Sequence, residues 1–140
     1  MRLKIQKLDP DAVIPIYATE GSSGFDICLL NDLTIKPGET VLAPTGLAIE
    51  LHGGYEIQIR PRSGITLNTP FRVHFGTIDS DFVGEIQVII TNTSTTSQTI
   101  NKHTKIAQGV IQMYYQADFL EVDKIKTTKR GSGGFGSTDV

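Results

Sequence analysis

Short runs in which apolar and polar residues alternate constrain this chain most strongly. Such runs occupy Leu33 to Ile35, Tyr55 to Ile59 and Glu85 to Ile89, and a period of two is typical of half-buried β-strands. Turn residues separate them, as in Lys36-Pro37-Gly38 and His52-Gly53-Gly54. Short strands at this spacing predict an all-β sandwich or closed barrel.

A single short helix and one main domain complete the expected organisation. No segment has a long 3.6-residue period with caps, and Ser63 to Asn68 is the best place for a helix. The 140 residues suit one domain with a real apolar core. Composition changes at Lys126-Thr127-Thr128-Lys129. We therefore expect a β domain over residues 1–126 and a Gly-rich arm over residues 127–140.

Charge and composition exclude several classes of protein. The formal net charge of −2 lacks the basic excess of a nucleic-acid-binding protein. No apolar run is long enough to cross a bilayer, and the N-terminus lacks a signal-peptide pattern. We therefore expect a cytoplasmic protein with neither nucleic acid nor membrane as its partner. Cys28 is the only cysteine, so we expect a buried structural thiol and no internal disulfide.

The C-terminal run from Arg130 to Thr138 places one guanidinium and one phenyl ring among glycines and small hydroxyl residues. Glycine lets successive backbone N–H groups approach phosphate oxygens, and arginine adds a planar fork for the same oxygens. Phe135 offers a flat face to a base. The run is thus either a mobile arm that closes over a nucleotide or a disordered Gly/Ser tail.

The segment from Gly76 to Phe82 puts a carboxylate directly after an apolar pair and an aromatic ring three residues later. Asp79 could deprotonate a water for in-line attack on a phosphorus atom. Alternatively, Asp79 and Asp81 only accept backbone hydrogen bonds in a turn.

Two further polar strings suit phosphate and magnesium chemistry. Arg62-Ser63-Gly64 offers a guanidinium, a hydroxyl and a glycine at a helix start, which is either a phosphate seat or a solvated surface turn. Asp26 could hold the water shell of magnesium or cap a turn. His52, His74 and His103 have no zinc-ligand spacing. Since no Ser/His/Asp arrangement or P-loop is present either, water is the expected nucleophile.

Five motifs in this order resemble those of the homotrimeric deoxyuridine triphosphatases, and they span nearly the whole chain. The motifs are Ser23-Gly24-Phe25-Asp26, Pro61-Arg62-Ser63-Gly64, Gly76 to Glu85, Lys105-Ile106-Ala107-Gln108 and Arg130 to Thr138. The resemblance implies a jelly-roll-like β fold and a trimer whose active sites draw on all three subunits. It also implies hydrolysis of dUTP to dUMP and pyrophosphate with Mg²⁺.

The same resemblance implies a role for each matching residue. Asp79 would be the general base, and Asp26 would hold magnesium through water. Gly76, Phe82, Gln87 and Phe135 would contact the sugar or the uracil. The phosphate-binding set would comprise Arg62, Ser63, Gly64, Gln108, Arg130, Ser132, Gly133, Gly136, Ser137 and Thr138.

Departures from the family pattern carry their own expectations. Phe82 stands where the family usually has a tyrosine under deoxyribose, and since the ring is kept, discrimination against ribose should survive. Lys105 replaces a common arginine, which keeps the charge but not the fork. Asp139 adds a negative charge where a glycine often follows Thr138, so it either weakens arm closure or points to solvent.

Two other functions compete with this reading. The related deoxycytidine triphosphate deaminases carry a catalytic glutamate where Ile89 stands, and isoleucine cannot move protons. A binding or regulatory module without catalysis would be expected to lose Asp79 or the arm, and both are present. Nothing in the chain indicates a regulatory protein partner.

Overall fold

The computed structural model describes residues 1–137 and contains eleven strands and one short helix there. The strands are β1 (Lys4–Lys7), β2 (Phe25–Cys28), β3 (Leu33–Ile35), β4 (Thr40–Pro44), β5 (Leu47–Glu50), β6 (Tyr55–Pro61), β7 (Phe71–Val73), β8 (Gly76–Ile78), β9 (Gln87–Asn92), β10 (Gln98–Ile100) and β11 (Lys105–Met113), and the helix is α1 (Ser63–Asn68). The all-β prediction and the single short helix are confirmed.

The strands form antiparallel sheets in which sequence neighbours are often not spatial neighbours. The larger sheets have the orders β2-β11-β6-β8 and β4-β9-β7, and two further pairs are β1-β5 and β3-β10. β8 therefore belongs to one large sheet and β9 to the other. Residues 79–86, which connect β8 to β9, cross from sheet to sheet; we call them the crossing segment.

Alternation along the strands builds the core. In β6 the side chains of Ile57 and Ile59 are buried, while those of Gln58 and Arg60 are half-exposed. β9 follows the same rule, with Val88 and Ile90 fully buried. Burying each such side chain stabilises the fold by about 1.5–3 kcal/mol. The core therefore depends on period-two patterning from both large sheets.

One polar side chain lies fully inside this core. Asn92 is fully buried and donates from Nδ2 to the carbonyls of Ile35 at 2.9 Å and Thr96 at 2.8 Å. Its Oδ1 accepts from the backbone N–H and the hydroxyl of Ser94. Because a buried polar group costs free energy unless it is hydrogen-bonded, these contacts fix the β9–β10 connection against β3.

The predicted strands are present, but two of them differ at their ends. The run Leu33–Ile35 and the helix Ser63–Asn68 have the predicted bounds, the run Tyr55 to Ile59 continues as β6 to Pro61, and β9 continues beyond the predicted Ile89 to Asn92. The strand expected from Glu85 to Ile89 begins only at Gln87. This prediction was wrong at its start because the Glu85 side chain accepts from the Gly46 N–H, and Ile86 makes a single backbone hydrogen bond to Leu47 instead of a strand ladder.

Beyond β11 the chain runs outside the sheets. Exposed apolar residues occur in this part, among them Tyr115, Phe119, Leu120 and Ile125. The last strand ends at Met113, and a domain boundary between residues 126 and 127 stays a prediction. Within residues 1–137 no helix has the length and apolarity that a membrane crossing needs.

Cys28 lies at the end of β2 and is buried, as predicted. Burial raises the pKa of its thiol, and the charge of Lys105 opposes this effect in part. A thiol with a raised pKa is less often the reactive thiolate, so the residue serves packing.

Candidate active site

A buried carboxylate between two cations forms the first part of the site. Asp26 on β2 is 7% exposed, and its Oδ1 lies 3.1 Å from Nε of Arg62. Its Oδ2 lies 2.8 Å from Nζ of Lys105, although this contact lacks hydrogen-bond geometry. The side chains of both cations remain partly exposed. The cluster therefore carries a net positive charge that faces solvent and suits an anion.

Arg62 is held from two sides, which fixes the direction of its guanidinium. Besides the contact to Asp26, its Nη1 donates to the carbonyl of Lys105 at 2.9 Å. Arg62 also precedes α1, where Ser63 and Gly64 are exposed in the first turn. Arg62 thus lies beside Asp26, and Ser63 and Gly64 follow it directly in the chain.

Gln108 joins the same cluster through strand register. It lies opposite Asp26 across the β2–β11 pair, and its Nε2 donates to the carbonyl of Pro61 at 2.9 Å. A Cβ atom on Gly24 would come within 2.5 Å of Gln108 Oε1. Gly24 therefore leaves open the space that the Gln108 amide occupies. Asp26, Arg62, Lys105 and Gln108 form what we call the cationic cluster.

Asp79 lies in a second region, at the start of the crossing segment. It follows the edge strand β8, is exposed, and lines a polar cavity of about 520 Å³ with Glu56, Ser80, Asp81, Tyr114 and Gln116. The backbone N–H of Phe82 donates to the Asp79 carbonyl at 3.1 Å, which closes a tight turn. Asp79 is thus presented to solvent at a sharp turn, where a carboxylate can reach a ligand.

Two of the predicted nucleoside contacts, Phe82 and Gln87, lie beside Asp79. A cavity of about 210 Å³ is lined by Thr77, Ile78, Asp79, Phe82, Glu85 and Gln87. Phe82 is 42% exposed, and its ring packs so closely on Gly84 that a Cβ there would lie 2.8 Å from Cζ. Gly76 begins β8 and pairs with Ile59. The structure thus brings Phe82 and Gln87 together with Asp79 and places Gly76 on the adjoining strand.

The cationic cluster and Asp79 lie near opposite ends of β6. Asp79 shares its cavity with Glu56, near the start of β6. Gln108 pairs with Arg60 near the other end, and Arg62 directly follows the strand. The four residue steps from Glu56 to Arg60 span roughly 13 Å at about 3.3 Å each. One chain alone therefore does not bring Asp79 beside Arg62.

The described part of the arm folds on itself. Arg130 Nε donates to the Gly133 carbonyl at 3.1 Å, and the Ser137 N–H donates to the Gly134 carbonyl at 3.0 Å. Phe135 is fully exposed. Within residues 1–137, the hydrogen bonds found after Tyr114 stay inside that segment, so contacts of Arg130, Ser132, Gly133, Phe135, Gly136 and Ser137 with a ligand remain predictions. Thr138 and Asp139 lie outside the described residues.

Asp26 fits hydrated magnesium better than direct coordination. Both carboxylate oxygens already lie beside cations. A metal ion bound directly to Asp26 would therefore be repelled by Arg62 and Lys105 unless a polyphosphate were also bound. Oδ2 is nevertheless buried without a hydrogen-bond donor and could accept from a metal-bound water. Within residues 1–137 no group of three His, Cys, Asp or Glu residues gathers as an all-protein metal site.

Two residues that line the cavity with Asp79 were not predicted from the sequence. The Tyr114 hydroxyl lies 3.0 Å from Ser80 Oγ, and Glu56 faces the same cavity. Glu56 is part of an alternating strand and Tyr114 follows one, so neither position stands out in sequence. Only the β6–β8 and β6–β11 pairing reveals that these distant positions meet.

Comparison with known proteins finds sequence matches over nearly the whole chain. A family model described as dUTPase matches residues 11–139. The chain is 48% identical over 142 residues to the deoxyuridine 5'-triphosphate nucleotidohydrolase of Helicobacter pylori strain P12, covering 100% of this chain and 98% of that protein. It is 50% identical over 145 residues to the enzyme of the same name from Nautilia profundicola, covering 99% of each.

Solved structures agree with this fold. A mutant dUTPase of Staphylococcus bacteriophage 80alpha with dUpNHpp superposes with a TM-score of 0.94 at 23% identity over 99% of each chain. A mutant dUTPase from phage phi11 of S. aureus, described as coordinating a structural Mg(II) ion, gives 0.86 at 20% identity over 91% of this chain and 100% of its own. These likenesses confirm the predicted jelly-roll-like fold, and with the sequence matches they establish that this chain belongs to the dUTPase family.

Proposed function

We propose that this chain hydrolyses dUTP to dUMP and pyrophosphate in active sites shared between copies of a homotrimer. The separation of Asp79 from the cationic cluster along β6 is the observation that carries this proposal. A base that acts on the α-phosphorus must lie within a water's reach of it. Residues that lie near opposite ends of β6 in one chain meet this requirement when they come from different copies.

Asp79 acts as the general base. Its carboxylate takes a proton from water, and the water oxygen attacks the α-phosphorus in line with the bridging oxygen to the β-phosphate. That P–O bond breaks, and pyrophosphate leaves with the bonding electrons. Exposure of Asp79 at a tight turn supports this role, because the carboxylate is free to meet a ligand.

The cationic cluster binds the triphosphate. Arg62 supplies a fork, Lys105 a point charge and Gln108 an amide N–H, while Ser63 and Gly64 border the cluster at the start of α1. Asp26 positions both cations and would hold hydrated magnesium through its carboxylate. Bound magnesium would neutralise part of the triphosphate charge.

The crossing segment and the adjoining strands bind the nucleoside. The Phe82 ring stacks on the deoxyribose, and backbone groups at Gly76 and Gln87 pair with the uracil edge. The cavity lined by Phe82 and Gln87 next to Asp79 supports this assignment. A ring packed on the sugar leaves no space for a 2′-hydroxyl.

Copies of the chain assemble through apolar surface that one copy leaves uncovered. A cavity of about 430 Å³ is lined mainly by apolar residues that include Leu3, Ile14, Tyr17 and Phe25. The exposed apolar side chains after β11 offer complementary surface. The arm then closes over a neighbouring site, with Arg130 at the γ-phosphate, Phe135 over uracil, and Ser132, Gly133, Gly136, Ser137 and Thr138 along the phosphates.

Pyrophosphate release across dUTP, dTTP, dCTP and UTP tests the proposed reaction. We expect kcat/KM for dUTP to exceed that for UTP by at least about 10²-fold, because a steric and hydrogen-bonded site discriminates strongly. Ammonia release from dCTP is the control for deamination. Equal turnover of UTP and dUTP would refute the role of Phe82, and ammonia without pyrophosphate would refute the reaction.

The reaction limits uracil incorporation into DNA and supplies dUMP for dTMP synthesis. We also propose that the protein acts in the cytoplasm.

A further inference from the structure

We infer that Glu85 and Thr45 are positioning residues that fix the crossing segment for nucleoside binding. The inference rests on the proposed function, in which this segment carries Asp79 and Phe82. Both residues act through the backbone that they hold. The anchor is residues 44–47, the end of β4, the connection to β5 and the first residue of β5. Thr45 belongs to this anchor, and Glu85 belongs to the crossing segment.

The crossing segment needs such an anchor because it joins two sheets. β8 is the edge strand of one sheet and β9 lies in the middle of the other. Between them the chain lacks strand pairing from Asp79 to Ile86. Phe82 and Asp79 therefore sit on a connection whose position depends on contacts other than sheet ladders.

Three hydrogen bonds tie the end of the crossing segment to residues 44–47. The Gly46 N–H donates to Glu85 Oε1 at 2.8 Å, and the Thr45 hydroxyl donates to the Ile86 carbonyl at 2.6 Å. The Ile86 N–H donates to the Leu47 carbonyl at 2.8 Å. Thr45 is fully buried and Glu85 is half-buried. The carboxylate charge strengthens the hydrogen bond to Glu85. Burial shields the hydrogen bond of Thr45 from water.

The anchor itself is held rigidly by the rest of the fold. The Leu30 N–H donates to the Pro44 carbonyl at 3.0 Å, and the Leu8 N–H donates to the Gly46 carbonyl at 2.7 Å. Gly46 has a φ of +70°, and a Cβ there would lie 2.9 Å from Cβ of Ala12. Only glycine fits this conformation and this space. The bonds from Thr45 and Gly46 thus place the crossing segment relative to a fixed point.

Glu85 also lines the small cavity beside Phe82, Asp79 and Gln87. The same carboxylate group that accepts from Gly46 therefore borders the proposed nucleoside site. Without its hydrogen bond the segment would populate several positions, of which only some accept the nucleoside. The apparent affinity for the nucleoside falls in proportion to the fraction of molecules in the binding-competent conformation. Once substrate is bound, the segment is held in that conformation. Loss of positioning should therefore raise KM more than it lowers kcat.

Steady-state dUTP hydrolysis by Glu85→Ala and Glu85→Gln tests the inference, with thermal unfolding as a check of folding. We expect Glu85→Ala to raise KM about tenfold while kcat changes by less than about threefold. Glu85→Gln keeps an acceptor oxygen and should restore KM to near the wild-type value. Thr45→Val should repeat the KM effect, and Thr45→Ser, which keeps the hydroxyl, should reverse it. Glu50→Ala, at an exposed glutamate on β5 that pairs with Lys4, is the matched control and should leave KM unchanged.

Wild-type KM in both Glu85→Ala and Thr45→Val would overturn the inference. So would equal losses that Glu85→Gln and Thr45→Ser fail to rescue. If Thr45→Val does not fold, the Glu85 pair decides the outcome. Failure of the proposed function is distinguishable, because the wild-type protein would then leave dUTP intact or Phe82→Ala would retain a normal KM.

Discussion

Asp79→Asn lowers kcat for dUTP hydrolysis by about 10³-fold, because general-base catalysis contributes about 10²–10⁴-fold to such reactions. The amide has the same size and still forms hydrogen bonds, but it cannot accept the proton of the attacking water. Asp79 is exposed at a turn, so the substitution leaves the core intact. Pyrophosphate release at saturating dUTP measures kcat, and KM should change little since the nucleoside contacts remain.

Asp32→Asn is the matched control for Asp79→Asn. It exchanges a carboxylate for an amide at another exposed position, and the amide oxygen can still accept the Lys102 N–H that Asp32 Oδ1 accepts at 2.6 Å. We expect wild-type kcat for this variant. Near-normal turnover by Asp79→Asn would show that another group is the base.

Truncation after Lys129 lowers kcat/KM for dUTP by about 10²–10³-fold, since even one lost oxyanion donor costs that much in other enzymes. The truncated chain lacks Arg130, Phe135 and the glycine N–H groups, and its active site stays open to water. Unfolding of the body should be unaffected, because the arm's hydrogen bonds within the described residues are internal.

Two full-length variants separate the contributions of the arm. Arg130→Gln removes the charge proposed for the γ-phosphate, and Phe135→Ala removes the ring proposed for uracil. Each should lose part of the activity that truncation removes. Full activity of the truncated chain, at an unchanged unfolding temperature, would eliminate the arm from the mechanism.

Local sequence patterns predicted much of the fold, because strand alternation and helix boundaries depend on residues that are close together in the chain. Period-two alternation in Tyr55 to Ile59 decides which side chains enter the core, and it predicted β6. The helix at Ser63–Asn68 follows from its position after Pro61 and before Thr69-Pro70. Glu85 fits the same alternation, yet a hydrogen bond from Gly46, distant in sequence, draws it out of the strand.

The site was only partly predictable, since its parts meet through strand register. The family resemblance implied that Asp26 holds magnesium and that Arg62 and Gln108 bind phosphate, but not that Asp26 lies buried between Arg62 and Lys105. Nor could motif order reveal that Asp79 lies near the opposite end of β6 from that cluster. Pairing of β6 with both β8 and β11 sets this separation.

Mixing two inactive variants tests most directly whether each active site is shared between copies. Asp79→Asn and Arg62→Gln, purified separately, should each be nearly inactive. If equal amounts are unfolded and refolded together, the copies associate at random. A site that takes Asp79 from one copy and Arg62 from another is then intact in about one case in four, so about a quarter of wild-type kcat should return. A refolded mixture as inactive as its two components would contradict the shared site.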